Sequence, residues 1–186
     1  MKRLFIAIPL KLNNHAKQSI LEIQTQLSQN SIKWVSFDNL HLTLQFLGDT
    51  NENDIATIMN ILDNLQEYFT KFEVKLSGLY TFGNRNHPNV LWTNWIDNNQ
   101  AKNLAKLLNE QISLRNNIKS DEKFIPHLTL GRIKRITDLS KFNEIISNNA
   151  NLYLGKYTID EIILFESKLK PHGPEYFALH KIKAHT

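Results

Sequence analysis

Apolar residues recur along the chain with two different spacings, one typical of helices and one typical of strands. Spacings of three and four predict helices over Leu12–Leu27, Glu52–Leu65, Gln100–Leu114 and Asp138–Ile146. Segments in which apolar and β-branched residues alternate or run together predict strands over Arg3–Ile8, His41–Phe46, Phe72–Leu79, Asn89–Trp95, His127–Ile133, Tyr157–Phe165 and Glu175–Ile182. Turn-forming pairs such as Gly48-Asp49 and Gly83-Asn84 separate most of these elements. The pattern therefore predicts an α+β fold.

One tetrapeptide occurs twice in the chain. His41-Leu42-Thr43-Leu44 returns 86 residues later as His127-Leu128-Thr129-Leu130. Two further segments recur in the same order at nearly the same separation: Phe72–Leu76 with Tyr157–Ile162, and Val90–Trp92 with Tyr176–Ala178. This duplication predicts two similar lobes related by a pseudo-twofold axis. Antiparallel-type sheets are expected to flank a central cleft, with the helices outside, in a single bilobal domain over 1–186.

Composition and charge narrow the class of protein. Of 186 residues, 41% are apolar and 22% are charged, as in ordinary soluble domains. The absence of cysteine excludes a disulfide framework, thiol catalysis and cysteine-ligated metal centres. No apolar stretch is long enough to span a bilayer and no signal peptide is recognisable, so a cytoplasmic location is expected, with a monomer as the default. A net charge of +4 favours anionic ligands. Lysines near the C-terminus form a basic stretch that could guide such a ligand: Lys168, Lys170, Lys181 and Lys183.

Each HLTL segment offers a polar face and an apolar face. Residues i and i+2 of a strand point to the same side, so His41 and Thr43 share one face while Leu42 and Leu44 share the other. The second copy repeats this arrangement, which gives the cleft two imidazoles and two hydroxyls. One imidazole can accept a proton near neutral pH while the other donates one. Because the hydroxyls can donate to phosphate oxygens, this inventory suits phosphodiester cleavage.

A structural role for these histidines is the first alternative. Chance would give only about 0.01 copies of the tetrapeptide in a chain of this composition, so two copies require duplication or selection. A metal site built on His41 and His127 is a second alternative, because imidazole is a common ligand. No paired carboxylate at ligand spacing accompanies them. The other histidines lack the repeated context and are interpreted as non-catalytic: His15, His87, His172, His180 and His185.

The two motifs and their flanks resemble the two-histidine (2H) phosphoesterase superfamily, and in particular its RNA 2′,3′-cyclic phosphodiesterase branch, historically called 2′-5′ RNA ligase. The similarity spans nearly the whole chain. It is carried by Arg3–Ile8, Trp34-Val35, Asn39–Gly48, Pro88–Trp92, Phe124–Arg132 and Ser167–Tyr176. The resemblance implies hydrolysis of a terminal 2′,3′-cyclic phosphate on RNA, such as tRNA halves, to a 2′-phosphomonoester. It also implies that no metal ion or other cofactor takes part.

The resemblance also implies roles for individual residues. His41 is the proton donor to the departing 3′ oxygen, and His127 is the proton acceptor that activates water. Thr43 and Thr129 hold the non-bridging oxygens, and Arg132 contacts the phosphate. The same groups run in reverse would support 2′-5′ RNA ligation. Two other functions stay open: an RNA-binding module with this fold but little catalysis, and a phosphodiesterase for small cyclic nucleotides.

Strict strand alternation makes specific predictions for two side chains near the motifs. It turns Arg132 away from the cleft unless a bulge at Gly131 restores it. Without the bulge, Arg132 would be an exposed arginine or the partner of a carboxylate. The same alternation places Phe46 on the packing face. Phe82 and Trp92 are therefore the better candidates for stacking a terminal base.

Overall fold

The computed structural model describes residues 1–113, 124–171 and 173–185. Its helices are α1 (Asn14–Gln26), α2 (Glu52–Gln66), α3 (Gln100–Ser113) and α4 (Leu139–Asn148), with a 3₁₀ turn at Phe37–Asn39. Its strands are β1 (Lys2–Pro9), β2 (Ser31–Trp34), β3 (His41–Thr50), β4 (Phe72–Asn84), β5 (His87–Ile96), β6 (His127–Arg135), β7 (Tyr153–Ile159), β8 (Glu161–Lys170) and β9 (Gly173–Lys183). The predicted helix end at Leu114 and the residue His172 lie outside the described residues.

The strands form two antiparallel sheets, one for each lobe. The first lobe has the order β3-β1-β8-β9, and the second has the order β2-β6-β5-β4-β7. The two HLTL segments begin β3 and β6, so each lies in a different sheet, and these two strands contact each other between the lobes. The α+β prediction with two similar lobes is confirmed. Each lobe contributes its motif to the boundary between the sheets.

Helices cover the sheet faces that lie opposite the histidines. The first sheet packs on α2 and α3, and the second packs on α1 and α4. Leu42 and Leu128 point towards these helices and are fully buried. Burying one leucine side chain contributes about 1.5–3 kcal/mol, so the apolar half of each motif holds its strand against the core. The polar half is left facing the cleft.

The prediction of one continuous strand over Tyr157–Phe165 is wrong. The segment predicted as a single strand over Tyr157–Phe165 is two strands, β7 and β8, which lie in different sheets. The break falls at Asp160, whose carbonyl accepts a hydrogen bond from the Ala184 amide. Apolar residues continue on both sides of Asp160, because each strand buries its own set. Periodicity alone does not reveal that the chain crosses between lobes at this point.

The short strand β2 is absent from the sequence prediction. It pairs with β6 and brings Lys33 opposite Arg132 and Trp34 opposite Gly131. Its four residues, Ser31–Trp34, are too few for a period-2 pattern to stand out from the polar residues before them. The strand that carries His127, β6, is therefore paired on both of its edges, with β2 and with β5.

A buried carboxylate begins the helix that lies beneath β3. Asp97 is 6% exposed, and its Oδ2 accepts hydrogen bonds from Trp95 Nε1 at 2.9 Å and from the Ala101 amide at 2.7 Å. The amide is one of the orphan donors at the start of α3. Asp97 therefore ties the end of β5 to α3, which packs against β3.

Candidate active site

The two motif histidines have the same backbone contact. His41 Nδ1 lies 2.7 Å from the Asn39 carbonyl oxygen, and His127 Nδ1 lies 2.7 Å from the Ile125 carbonyl oxygen. A carbonyl can only accept, so Nδ1 carries the hydrogen in each ring. In the neutral form this leaves a lone pair on Nε2. Both rings therefore offer Nε2 for proton transfer, and the acceptor that fixes the tautomer lies two residues upstream in both lobes.

Aromatic side chains enclose both rings. His41 lies 5.0 Å from the ring centroid of Phe5, and Tyr176 meets it edge-on at 5.3 Å. His127 meets Phe82 edge-on at 4.8 Å and Trp92 at 5.8 Å. These contacts shield part of each imidazole from water and restrict its rotation. Each lobe builds the enclosure from its own strands.

Burial lowers the pKa of both histidines. Desolvation is the largest cause for His41, and the positive charges of His127 and Arg132 lower the pKa further, against the hydrogen bond to Asn39. Desolvation also dominates for His127, with Arg132 adding to it and the bond to Ile125 opposing it. The strands that carry the two histidines, β3 and β6, contact each other, so the charge of one ring acts on the other. A bound anion would reverse part of this lowering.

The two threonines lie where alternation predicts. Thr43 and Thr129 are half-buried, and each follows its histidine by two residues on the same side of the strand. The leucines between and after them are buried on the opposite side. The cleft face of each lobe therefore offers an imidazole and a hydroxyl.

A β-bulge brings Arg132 to the cleft face. Thr129 pairs with Trp92 and Gly131 pairs with Leu91, which leaves Leu130 as the extra residue between them. The side chain of Arg132 is exposed, and its charge acts on both motif histidines. Of the two alternatives that the sequence leaves open for Arg132, the one with a bulge next to Gly131 is present. A Cβ at Gly131 would lie 2.8 Å from Ile32 Cγ2, so the close approach of β2 requires glycine here.

The same bulge occurs in the first lobe and corrects the prediction for Phe46. Ala7 pairs with Thr43 and Ile6 pairs with Gln45, so the residue between them is skipped. Phe46 is therefore on the cleft face and 50% exposed, not on the packing face. The Arg3 guanidinium lies 5.2 Å from the centre of its ring. Phe46 is now a candidate for stacking a base.

The two aromatic residues predicted for base stacking, Phe82 and Trp92, stack on each other, which leaves less of each ring free for a base. Phe82 and Trp92 are stacked with ring centroids 4.5 Å apart, and Tyr80 lies 5.0 Å from Trp92. Trp92 Nε1 is buried and has no hydrogen-bond partner among the described residues. These rings form the wall behind His127. Phe46 leaves more of its surface free than Trp92, which is only partly exposed.

Positive charge at the cleft is less compensated than at the C-terminal strands. In the predicted basic stretch, Lys168 pairs with Glu166, and both Lys181 and Lys183 pair with Glu161, whereas Lys170 has no ion pair among the described residues. By contrast, no ion pair is found within the described ranges for Arg132, for Arg3, or for Lys33 opposite Arg132 on β2. We therefore expect an anionic ligand to be attracted more strongly to the cleft than to the three paired lysines near the C-terminus.

Sequence reasoning missed three residues around His41 and Phe46. Asn39 provides the carbonyl acceptor for the ring, Tyr176 packs on it, and Arg3 covers Phe46. The position of Asn39 two residues before the histidine is the only local signal among them. The other two come from distant strands. Across the described residues, no cluster of three or more potential metal ligands is present. None of the described helices combines the length and the apolar character of a membrane-spanning segment.

Comparison with protein families gives one match that covers both halves of the chain. The model of the family described as LigT like phosphoesterase matches residues 10–92 and again residues 96–176. Each matched region contains one HLTL segment. The repeat seen in the sequence is therefore the repeat of this family.

Curated relatives are similar over most of their length. A Methanocaldococcus jannaschii protein named RNA 2′,3′-cyclic phosphodiesterase is 33% identical over 174 residues, which is 94% of this chain and 96% of the relative. A protein of the same name from Aquifex aeolicus is 36% identical over 150 residues, which is 77% of each chain.

Solved structures share the fold. The crystal structure of a Thermus thermophilus protein has a TM-score of 0.79 and 26% identity, with 97% of each chain covered. Escherichia coli LigT, in a crystal structure of its complex with 3′-AMP, has a TM-score of 0.75 and 22% identity, with 100% of this chain and 99% of that chain covered. The likeness to the second structure concerns the fold alone.

Proposed function

The chain belongs to the LigT-like phosphoesterase family, and on that premise we propose that it hydrolyses the 2′,3′-cyclic phosphate at an RNA end to a 2′-phosphomonoester. Relatives named RNA 2′,3′-cyclic phosphodiesterase are 27–36% identical to it over most of the chain, so it is an enzyme of that class. The observation that carries the proposed mechanism is the matched pair of imidazoles. Each has Nδ1 held by a carbonyl and Nε2 left for chemistry.

The proposed reaction moves one proton at each histidine. His127 Nε2 accepts a proton from water while the water oxygen forms a bond to phosphorus. The bond from phosphorus to O3′ breaks, and His41 Nε2 donates its proton to O3′. The phosphate remains on O2′, and solvent exchange restores the starting protonation states. The charge of a protonated His127 lowers the pKa of His41, which favours one proton on the pair over two.

Negative charge develops on the non-bridging phosphate oxygens in the transition state, and hydrogen-bond donors from both lobes can stabilise it. The hydroxyls of Thr43 and Thr129 and the guanidinium of Arg132 are proposed to bind the non-bridging oxygens. The bound anion would raise the pKa of His41, which is what a proton donor requires near neutral pH. An RNA 5′-hydroxyl in place of water would give a 2′-5′ linkage, and we propose ligation as the secondary activity. Because the proposed chemistry uses these side chains alone, no metal ion is part of it.

The substrate end is proposed to lie with its base on Phe46. That ring is exposed on the same face as His41, and a nucleobase could stack on it. Cyclic ends on RNA, such as tRNA halves, are the proposed substrates, and a cytoplasmic monomer is the proposed setting. Comparing adenosine 2′,3′-cyclic phosphate with oligonucleotides of increasing length distinguishes an RNA enzyme from one that acts on small cyclic nucleotides.

The experiment that tests the proposal is a product assay in EDTA. Purified protein is incubated with a short RNA that ends in a 2′,3′-cyclic phosphate, and the 2′- and 3′-phosphate products are resolved. We expect the 2′-phosphate alone, with rates lower by about 10²–10⁴-fold for His41→Ala and for His127→Ala. The control is His15→Ala, an exposed histidine at the start of α1.

Three outcomes would count against the proposal. Formation of the 3′-phosphate would overturn the assigned leaving group. Activity restored only by added metal would overturn the metal-independent mechanism. RNA binding without any product, unchanged in the double histidine variant, would favour the binding module.

A further inference from the structure

We propose that the β8–β9 hairpin positions His41 through two residues, the side chain of Asn39 and the ring of Tyr176. This inference rests on the proposed function, in which His41 donates a proton to the leaving oxygen. A donor must keep Nδ1 on its acceptor so that Nε2 carries the transferable proton towards the substrate. The hairpin contacts supply that constraint from outside the motif itself.

Asn39 connects His41 to the hairpin with two hydrogen bonds. Its carbonyl oxygen lies 2.7 Å from His41 Nδ1, and its side-chain Nδ2 donates to the Pro174 carbonyl oxygen at 3.2 Å. Pro174 is the second residue of β9, 135 positions further along the chain. Asn39 itself ends the 3₁₀ turn, and within the described residues no strand pairs with it. The side-chain bond therefore holds the peptide that presents the acceptor to His41.

Tyr176 contacts the imidazole directly. Its ring meets His41 at 5.3 Å with an angle of 89° between the planes, and it meets Phe5 at 4.9 Å. Tyr176 follows Pro174 by two residues on β9, so one short piece of strand makes both contacts. Rotation of the His41 ring would require this cluster of three rings to separate. Edge-to-face contacts of this kind contribute to stability beyond simple burial.

The second motif lacks an equivalent side-chain connection. The repeat places Ile125 where the first motif has Asn39, and its hydrocarbon side chain is 50% exposed and cannot donate a hydrogen bond. His127 is enclosed by Phe82 and Trp92 from its own sheet, as His41 is enclosed within its sheet, so the missing feature is the side-chain hydrogen bond. Two histidines with the same backbone contact thus differ in how that contact is held. The hairpin acts on the proposed proton donor and leaves the proposed acceptor to its local surroundings.

The test combines kinetics with nitrogen NMR of the histidine rings. Asn39→Ala keeps the backbone carbonyl and removes the bond to Pro174, and Tyr176→Ala removes the ring contact. We expect each variant to lower kcat about 10-fold or more with KM within about two-fold of wild type. The ring nitrogens of His41 should shift towards a mixture of tautomers, while those of His127 keep the values of the wild type.

Two conservative variants separate positioning from loss of folding. Asn39→Leu keeps a side chain of similar size and adds no charge beside His41, but it cannot donate to Pro174, so it should reproduce the effect of Asn39→Ala. Tyr176→Phe keeps the ring and should recover most of the activity lost in Tyr176→Ala. Asn30→Ala is the matched control, because Asn30 also bridges distant segments, with Oδ1 accepting from the Thr137 amide at 3.1 Å. It should lower Tm without changing kcat or the His41 signals.

The results decide the proposal independently of the reaction. Unchanged His41 signals in both Asn39→Ala and Tyr176→Ala would overturn it, even if activity falls. Equal shifts at His41 and His127 would indicate general loosening and would also overturn it. An inactive wild-type protein would instead contradict the proposed function, and the NMR signals would still report whether the hairpin holds His41.

Discussion

Phe46 and Arg132 stand at matching positions in the two halves of the protein, each five residues after its histidine and each turned towards the cleft by a β-bulge. One half therefore presents an aromatic ring where the other presents a cation. The pairs His41 and His127, and Thr43 and Thr129, are alike in the two lobes. Because an aromatic ring lies on one side of the cleft and a cation on the other, we expect a substrate with a base and a phosphate to bind in one orientation.

Replacing Arg132 should weaken stabilisation of the transition state. We expect Arg132→Ala to lower kcat/KM for a cyclic phosphate end by about 10²–10³-fold, as for the loss of one strong electrostatic donor. Arg132→Lys should restore only part of this, because an ammonium group lacks the planar pair of donors. Arg135→Ala, at the exposed end of β6, is the control. Full activity in Arg132→Ala would show that the guanidinium does not contact the phosphate.

Replacing Phe46 should affect only substrates that carry a base. Stacking contributes about 1–3 kcal/mol per base, so Phe46→Ala should raise KM for adenosine 2′,3′-cyclic phosphate by about 5–150-fold. Ribose 2′,3′-cyclic phosphate, which has no base, should be hydrolysed equally by both proteins. Phe177→Ala is a matched control, since Phe177 is 43% exposed and has Lys168 Nζ 4.9 Å from its ring centre. It follows Tyr176 on β9, and alternation turns it away from the side that contacts His41. An equal loss on both substrates would argue against stacking.

The pH dependence follows from the lowered pKa values. His41 and His127 should both titrate below 6.5 in the free protein, because burial and the charge of Arg132 disfavour their charged forms. The rate falls at low pH as His127 gains a proton and falls at high pH as His41 loses one, so kcat/KM should peak below 6.5. Arg132→Gln removes a positive charge and should move both limbs to higher pH. Proton NMR titration of the two imidazoles checks each midpoint, and midpoints above 6.5 would contradict the argument.

Gly131→Ala should disturb the contact between β2 and β6. The added Cβ would lie 2.8 Å from Ile32 Cγ2, and such overpacking costs about 1–3 kcal/mol of unfolding free energy. Combining it with Ile32→Ala removes the clashing methyl group. The double variant should therefore be more stable than the sum of the single effects predicts, as measured by urea unfolding. Simple additivity would mean that β2 shifts away without strain.

Removing the Asp97 carboxylate should be among the more destabilising single changes. Asp97→Ala leaves Trp95 Nε1 and the Ala101 amide without their acceptor. We expect the free energy of unfolding to fall by about 2–4 kcal/mol. Asp138→Ala removes one exposed cap, with the Lys141 amide at 3.0 Å, and should cost about 1 kcal/mol or less. Urea unfolding compares the two variants. Equal losses would mean that burial adds nothing to the Asp97 cap.

The parts of the site that follow strand periodicity could be predicted from the sequence. Alternation places His41 beside Thr43 and Leu42 behind them, and the duplication extends this to the second lobe. A bulge adds one residue to a strand and reverses alternation beyond it, without any change in the hydrophobic pattern. For that reason alternation predicts the wrong face for Phe46, whereas Gly131 gives a reason to expect the bulge before Arg132.

Features that depend on distant pairing lay beyond prediction. Nothing near Asn39 in the sequence indicates that Pro174 accepts its side-chain hydrogen bond, and nothing near Tyr176 indicates His41. For the same reason the sequence predicts β7 and β8 as one strand, because each of them buries apolar side chains in its own sheet. These contacts depend on which sheet a strand joins, and local periodicity carries no information about that choice.

Each sheet is assembled from both halves of the chain. The first takes β1 and β3 from the N-terminal half and β8 and β9 from the C-terminal half, while the second joins β2, β4 and β5 to β6 and β7. The helices are exchanged in the same way, with α1 on the second sheet and α3 on the first. If the gene were divided between β5 and α3, each fragment would hold one motif but an incomplete sheet, and activity could return only when the fragments associate. An ancestor of half this length could have formed such a cleft only as two identical chains that exchanged strands.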